Sequence, residues 1–413
     1  MKIVLTCYIA LQVAKYVLEL MNIRHMVSRI DDAPPEFVGI VDKELLKRTQ
    51  EYTTDRSRFS LVASCCSDTV VVIFMFFGVL DWYNSFIQSL NLPFIAAGWA
   101  FLILLYLARE MISIPFSLYH TFKIESRYGF NTTTPRLWLS DLAKSFVISV
   151  IMLSIVSVVA LALAMLSPGH WWLWIWVFLL VFSAFVIYVS PSLIDPLFNR
   201  FVPLEDDELV REIRDLVTKA GIRISKVLKM DESKRSRHSN AYFSGIGKTK
   251  RIVLFDTLLE TMGHQQITAV LAHEIGHWKK HHVLKTLIMM QATSFAVFYG
   301  GFRLVGSGVL IGLFRISEPT FFANVVIAAF LLSMALRFMI PAFNHLSRYF
   351  ERESDRYACD LSGNGEALIQ ALVKLSKENL SNLYPHPLYA AVYYSHPPIL
   401  ERTREIRHYI GTA

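Results

Sequence analysis

Charge is scarce in this chain. Only 18% of its 413 residues are Asp, Glu, Lys or Arg, against roughly 25% in soluble globular domains, which argues against an ordinary soluble enzyme. Cysteine is scarce too: Cys7, Cys65, Cys66 and Cys359 form no CxxC pair, which argues against a disulfide framework and a thiolate metal site. The N-terminal run is not expected to be a cleavable leader. The opening run MKIVLTCYIALQVAKYVLELMNI is interrupted by Gln12, Lys15 and Glu19, no small-residue cleavage site follows, and the run reads as a retained first span. An acidic balance is absent as well, the formal net charge being +7. The basic residues flank apolar runs instead of forming one patch, which points to membrane topology and anionic headgroups and away from nucleic acid.

What is present is apolar. Hydrophobic residues make up 54% of the chain and mean hydropathy is +0.40. A helix crosses a bilayer with roughly 20 apolar residues, and seven runs qualify: about 3–22, 59–80, 92–118, 145–166, 171–190, 284–305 and 321–343. Trp171, Trp172, Trp174 and Trp176 stand at the start of the fifth, where interfacial aromatics belong. Lysine and arginine crowd 23–58, 119–144, 191–283 and the C-terminal tail, whereas 81–91 and 167–170 have none and 306–320 has only Arg315. This alternation predicts an outside N-terminus, with 191–283 and the tail cytoplasmic. Gln12, Lys15, Glu19, Arg109, Glu110 and Arg337 fall inside spans. Charge in a bilayer is costly, so together they predict a hydrated interior, with snorkelling at span ends as the alternative for each.

Inside the predicted cytoplasmic segment lies HEIGH, His273 to His277. Residues four apart share a helix face, so both imidazoles can meet one zinc ion, while Glu274 can reach a zinc-bound water and take its proton during attack on a peptide carbonyl. Ala272, Ile275, Gly276 and Trp278 are uncharged, and Ile267, Val270, Leu271 and Ile275 make an apolar face, which disfavours two ordinary surface histidines. A catalytic zinc needs a third protein ligand. His281 lies a further turn along, too far to converge. Lys280 and Val283 stand where the metzincin pattern requires glycine and histidine, so that class is excluded. SRYFERESDRYACD (347–360) offers Glu351, with Asp355 at i+4, and Glu353 stays open as the alternative. HEIGH shortly precedes the sixth span and Glu351 shortly follows the seventh. If both helices continue straight out of the bilayer, the two motifs stand about 10 Å above one membrane face.

KRSRHSNAYFSG (234–245), RIVLFDTLLE (251–260), LAHEIGHW (271–278), SRYFERESD (347–355) and YSHPPILER (394–402) occur in this order. With KIESRYGFNTTT (123–134) and PLFNRFVPLEDDEL (196–209), they resemble the CAAX prenyl protease 1 family of membrane zinc metallopeptidases over nearly the whole chain. The resemblance implies His273, His277 and Glu351 as zinc ligands, one ion per chain, and Glu274 as the catalytic glutamate. It implies Asp355 as a partner orienting a zinc histidine, and His396 as a hydrogen-bond donor to substrate or tetrahedral oxyanion. The implied fold is an α-helical integral membrane protein, a seven-helix transmembrane barrel around an intramembrane chamber, with a gluzincin-type α+β zinc protease domain on the cytoplasmic side. Implied partners are prenylated or other membrane-associated peptides and membrane lipids, with the chain a monomer; the membrane is endoplasmic reticulum or nuclear envelope in a eukaryote, cytoplasmic in a bacterium. Arg352 and Glu353 are charged where family members carry apolar or amide residues.

NAYFSG (240–245) and RIVLF, joined by Gly247-Lys248-Thr249-Lys250, predict a β-hairpin. Its edge could pair with an extended substrate, with Asn240 and the backbone near Tyr242 as the binding residues. Lys234, Arg235, Arg237 and His238 read as solvated basic surface, and His264, His281, His282 and His386 as surface or packing. The expected organisation is 1–200 (five membrane helices), 201–283 (protease core), 284–345 (membrane hairpin) and 346–413 (third ligand and SHPP). Competing readings are a broader quality-control metalloprotease and a seven-span receptor or transporter with a structural metal.

Overall fold

The structure, a computed structural model, describes residues 1–29, 43–245, 250–314 and 316–412. Helices α1 (Lys2–Val27) and α2 (Lys43–Phe76) precede a short α3 (Val79–Ser89), then α4 (Phe94–Tyr119), α5 (Pro135–Leu166) and α6 (Trp171–Leu193). A turn of helix, α7 (Asp195–Phe198), leads to β1 (Phe201–Pro203), α8 (Asp207–Lys219), β2 (Lys226–Met230), β3 (Ala241–Ser244), β4 (Arg251–Phe255), α9 (Asp256–Thr261) and α10 (His264–Lys279). The chain returns through α11 (His282–Gly306), α12 (Val309–Phe314), α13 (Phe321–Leu336) and α14 (Ile340–Ser362). It ends with α15 (Gly365–Glu378), α16 (Pro387–Tyr393) and α17 (Ile399–Thr412).

Among the described residues seven helices are long and apolar enough to span a membrane, and they coincide with the seven predicted runs. Several overshoot them at one end. Helix α2 starts at Lys43, α4 continues through a π-helical turn to Glu125, and α13 passes through a 3₁₀ turn into α14 and on to Ser362. The segments 81–91 and 306–320, expected as loops, instead hold α3 and α12.

The membrane helices close a ring. Helix α1 packs on α2, α4 on α5, α5 on α6, α6 on α11 and α11 on α13. Phe59 against Phe116 joins α2 to α4, and Tyr8 against Phe330 joins α1 to α13. At the end away from the sheet, α4 packs closely on α5 and α13. Phe101 meets Phe322 there, and Gly98 is pressed so close to Leu161 that a Cβ would stand 2.7 Å from its Cδ1. Polar groups in α1 are tied inward: the Tyr8 and Tyr16 hydroxyls donate to Asp68, and Lys15 donates to Ser64. Arg337 lies over the Tyr8 ring.

The extramembrane sheet has the order β1-β2-β4-β3, with β2 and β4 parallel and the outer pairs antiparallel. The predicted hairpin is β3–β4 (Ala241 opposite Leu254, Ser244 opposite Arg251), and its turn, 246–249, lies outside the described residues. One apolar core joins the sheet to α8, α10, α15 and α17, with Ile213, Ile252, Leu271 and Ile275 completely buried. Leu46 of α2 is part of that core, so the long overhang of α2 ties the barrel to the domain above it.

Candidate active site

Helices α10 and α14 lie side by side, and one residue permits it. A Cβ on Gly276 would meet the Ser354 backbone at 3.0 Å (Cα) and 3.1 Å (O), so only glycine lets the axes approach this closely. The helix does not run straight into α11, as the sequence suggested. His281 adopts a left-handed conformation (φ 57°), and the chain restarts at His282. The break has no glycine or proline to announce it.

The close approach gathers three donors. His273 Nε2 and His277 Nε2 stand 3.2 Å apart. Glu351 places Oε1 3.2 Å from His277 Nε2 and Oε2 3.4 Å from His273 Nε2. With ligand bonds of about 2.0–2.1 Å, neighbouring donors of a tetrahedral zinc site stand about 3.3 Å apart, and each of these separations is of that size, with a different Glu351 oxygen facing each histidine. Glu351 is 3% exposed, and its Oε2, although 2.9 Å from His396 Nδ1, makes no hydrogen bond of acceptable geometry. A buried carboxylate oxygen left in that state calls for a cation. The residues therefore fit the metal. A second group able to hold an ion, Glu208, Glu212 and His264, is more open, and its His264 is already paired with Asp206 at 2.9 Å.

Each histidine is held from behind. His273 Nδ1 donates to Asp355 Oδ1 (2.8 Å), which leaves Nε2 free to face the cluster. Burial opposes charge on this imidazole, but the Asp355 carboxylate outweighs it and the ring is pushed up to about 9. Asp355 receives the Arg402 guanidinium as a fork, Nε to Oδ2 at 2.9 Å and Nη2 to Oδ1 at 2.6 Å. Behind His277, its Nδ1 is 3.2 Å from His282 Nδ1. His282 in turn reaches Glu353 (2.9 Å) and stacks on Phe350. Glu353 also faces Lys280 at 3.4 Å, on the far side of His282 from the cluster. Arg352 pairs with Glu401 and Glu405. Both unusual charges of the RE pair are thus neutralised within the domain.

Glu274 is half-buried beside the cluster, and its charge is felt by Arg402. His396 is 64% exposed at its side chain and lines a cavity of about 1000 Å³ that Asn240 also lines. Asn240 turns its Oδ1 back to the Ala241 N–H and its carbonyl accepts from Phe255 N–H. Alternation along the antiparallel pair then points the Tyr242 backbone at Val253 and the Ala241 and Phe243 backbone outward, on the free edge of the sheet. The Tyr242 side chain leaves the site altogether and contacts Met230.

Sequence reasoning misplaced two residues of the basic stretch before β3, while Arg237 is exposed as expected. Arg235 is not solvated: its guanidinium is clamped by Asp141 (2.7 and 3.0 Å) and Asn199. His238 bonds to Asn379 at 2.8 Å and stacks on Phe130. Arg402 and His282 were also missed. Arg402 stood within the quoted YSHPPILER, but nothing in its spacing connects it to Asp355.

Residues 22–200 match the family model described as CAAX prenyl protease N-terminal, five membrane helices, and residues 203–410 match Peptidase family M48. CAAX prenyl protease 1 homolog of Arabidopsis thaliana is 32% identical over 96% of each chain. CAAX prenyl protease 1 of Saccharomyces cerevisiae is 32% identical, covering 89% of this chain and 87% of its own. The crystal structure of S. mikatae Ste24p shares the fold with a TM-score of 0.90 and 29% identity over 97% of each chain. Membrane half, peptidase half and whole architecture agree: the chain belongs to the CAAX prenyl protease 1 family and is a multi-pass membrane metalloprotease of peptidase family M48.

Proposed function

We propose that the protein is a zinc endopeptidase that cuts near the C-terminus of prenylated or otherwise membrane-associated peptides, as a monomer with its site on the cytoplasmic face. The observation that carries this reading is the position of the His273–His277–Glu351 cluster, next to a cavity whose walls include α1 and α2 of the barrel. His273, His277 and Glu351 would hold one zinc ion. When bound, the ion supplies Lewis-acid polarisation of a carbonyl and lowers the pKa of a water to about 7.

The remaining work falls to side chains. Glu274 takes the proton of the attacking water and passes it to the leaving amine. His396, exposed beside Glu351, donates to the substrate carbonyl oxygen as charge develops there. The Asp355–Arg402 fork keeps His273 in the tautomer with its lone pair at Nε2. An extended peptide adds to the free edge of β3, with the Ala241 and Phe243 backbone supplying hydrogen bonds without demanding a sequence. A prenyl chain attached to that peptide has apolar barrel wall to enter. The basic overhangs of α2, α4 and α5 support cytoplasmic orientation. The membrane would be endoplasmic reticulum or nuclear envelope in a eukaryote and cytoplasmic in a bacterium.

The test is hydrolysis of a farnesylated peptide and its unprenylated counterpart, with zinc content measured alongside. Glu274→Gln is expected to keep zinc and lose cleavage by a factor of about 10²–10⁴. Full activity in that variant would sink the mechanism. Equal cleavage of both peptides would favour broad quality control over prenyl-directed processing.

A further inference from the structure

Where the barrel meets the sheet, five cations face one cavity of about 510 Å³. Lys144 of α5, Arg200, Lys234, Arg235 and Arg251 of β4 line it, and no described acid does. The carboxylates within ion-pair range of them, among the described residues, are Asp141, Asp195 and Asp231. Two positive charges are therefore left over.

The surplus belongs to particular side chains. Arg235 and Lys234 are neutralised, at 2.7 Å from Asp141 and 2.8 Å from Asp231. Lys144 comes no closer than 3.6 Å to that same Asp141, and its ammonium donates to the Leu197 carbonyl at 2.9 Å. Arg251 stands 3.4 Å from Asp195, and its Nε is a buried donor with no hydrogen-bond partner. Arg200 is exposed and has no carboxylate within ion-pair range among the described residues. Buried donors are normally paired. An idle guanidinium nitrogen beside under-neutralised cations describes an anion with several acceptor oxygens, and phosphate has that chemistry.

Place decides what carries the phosphate. The Lys144–Leu197 bond ties the start of α5 to the end of the α6–α7 span. Arg251 donates to the Pro191 carbonyl of α6 at 2.7 Å, so the cavity lies at the joint between membrane helices and protease domain. Leu197 lines it and is exposed, and Leu139 of α5 and Leu193 of α6 are exposed on the same helix ends. A soluble phosphate makes no use of that apolar rim, whereas a phospholipid can lay acyl chains along it. We propose that this joint binds the phosphate headgroup of an anionic phospholipid from the leaflet next to the protease domain. A phosphomonoester, with a charge of about −1.5 to −2, matches the surplus better than the single charge of a diester. None of the five cations belongs to the metal cluster, so lipid binding is measurable apart from peptide hydrolysis.

The experiment uses the full-length protein in nanodiscs of phosphatidylcholine alone, with phosphatidic acid, or with phosphatidylserine at matched surface charge. Retained lipid is read by native mass spectrometry and stability by thermal unfolding. Wild type is expected to retain phosphatidic acid about tenfold more strongly than phosphatidylserine, and to unfold at a higher temperature with it. Arg200→Gln brings that preference close to one. Arg214→Gln, which removes an exposed cation of α8 that does not line the cavity, leaves it intact. A sharp unfolding transition of R200Q in phosphatidylcholine alone reports that the variant is folded. Equal retention of the two lipids by wild type would reduce the effect to diffuse attraction by basic overhangs and overturn the assignment. An undiminished preference in R200Q overturns it too. So does inorganic phosphate that binds the protein in phosphatidylcholine as tightly as phosphatidic acid does, since the cavity would then take a soluble anion.

Discussion

Among single residues, the His273–His277–Glu351 cluster and Asp355 were legible, and the other supports were not. His273, His277 and Asp355 announce themselves by helical spacing, and Glu351 by the need for a distant acid. Arg402, His282 and His238 have no such periodic signature, because each meets its partner only after distant helices have packed. His238 shows the consequence. Burial opposes its charge, but hydrogen bonds to Glu125 and Asn379 and the Glu125 charge outweigh that, and its pKa is raised above the ordinary 6.5 despite repulsion from Arg56. His120, from the π turn, also faces it through Glu125. A pKa raised on folding stabilises the protein fully below the unfolded value and loses that contribution as pH rises through the folded one. Stability is therefore expected to decline as pH is raised above about 6.5. His238→Gln, which keeps hydrogen bonds but no charge, should flatten that decline in thermal unfolding measured across this range. An unchanged pH profile in the variant would assign the dependence elsewhere.

For whole elements, regular pattern was readable and close contact was not. Alternation and turn residues predicted β3–β4, and charge-poor apolar runs predicted the seven spanning helices found among the described residues. The left-handed break at His281 was hidden, since a histidine there looks like any other surface residue, and so was the π turn at His120–Glu125 that follows Pro115 in α4. Gly276 sat in plain view inside HEIGH, but its necessity appears only where α10 meets α14. A methyl added there collides with the Cα and carbonyl of Ser354, and backbone cannot swing aside as a side-chain tip can. Gly276→Ala is accordingly expected to destabilise by about 1–3 kcal/mol, the usual cost of overpacking. That would offset the helix-propensity gain of roughly 1 kcal/mol that alanine brings. Thermal unfolding and zinc retention should fall together, since the same contact sets the His277–Glu351 separation. A variant as stable as wild type would mean that α10 and α14 have room to part.

For the whole molecule, the number of spans follows from the scarcity of charge, while closure of the ring does not. Ring closure depends on which side chains meet, such as Tyr8 with Phe330 and Phe59 with Phe116, and hydropathy carries no record of partners. Orientation, by contrast, is a bulk property, and it makes a sharp prediction at two sequons. Asn131-Thr132-Thr133 follows α4 and Asn379-Leu380-Ser381 follows α15, both at the protease-domain end that the charge pattern assigns to the cytoplasm. The side chains are also committed: Asn131 Oδ1 accepts from Thr133 N–H, and Asn379 Oδ1 meets His238. Expressed in a eukaryotic secretory membrane, the protein should carry no N-glycan at either site, whereas a sequon on a flexible spacer inserted between α5 and α6 should be modified. A mass shift removed by a glycosidase from the unaltered chain would invert the topology, place the metal cluster on the opposite face, and remove cytoplasmic peptides from its reach.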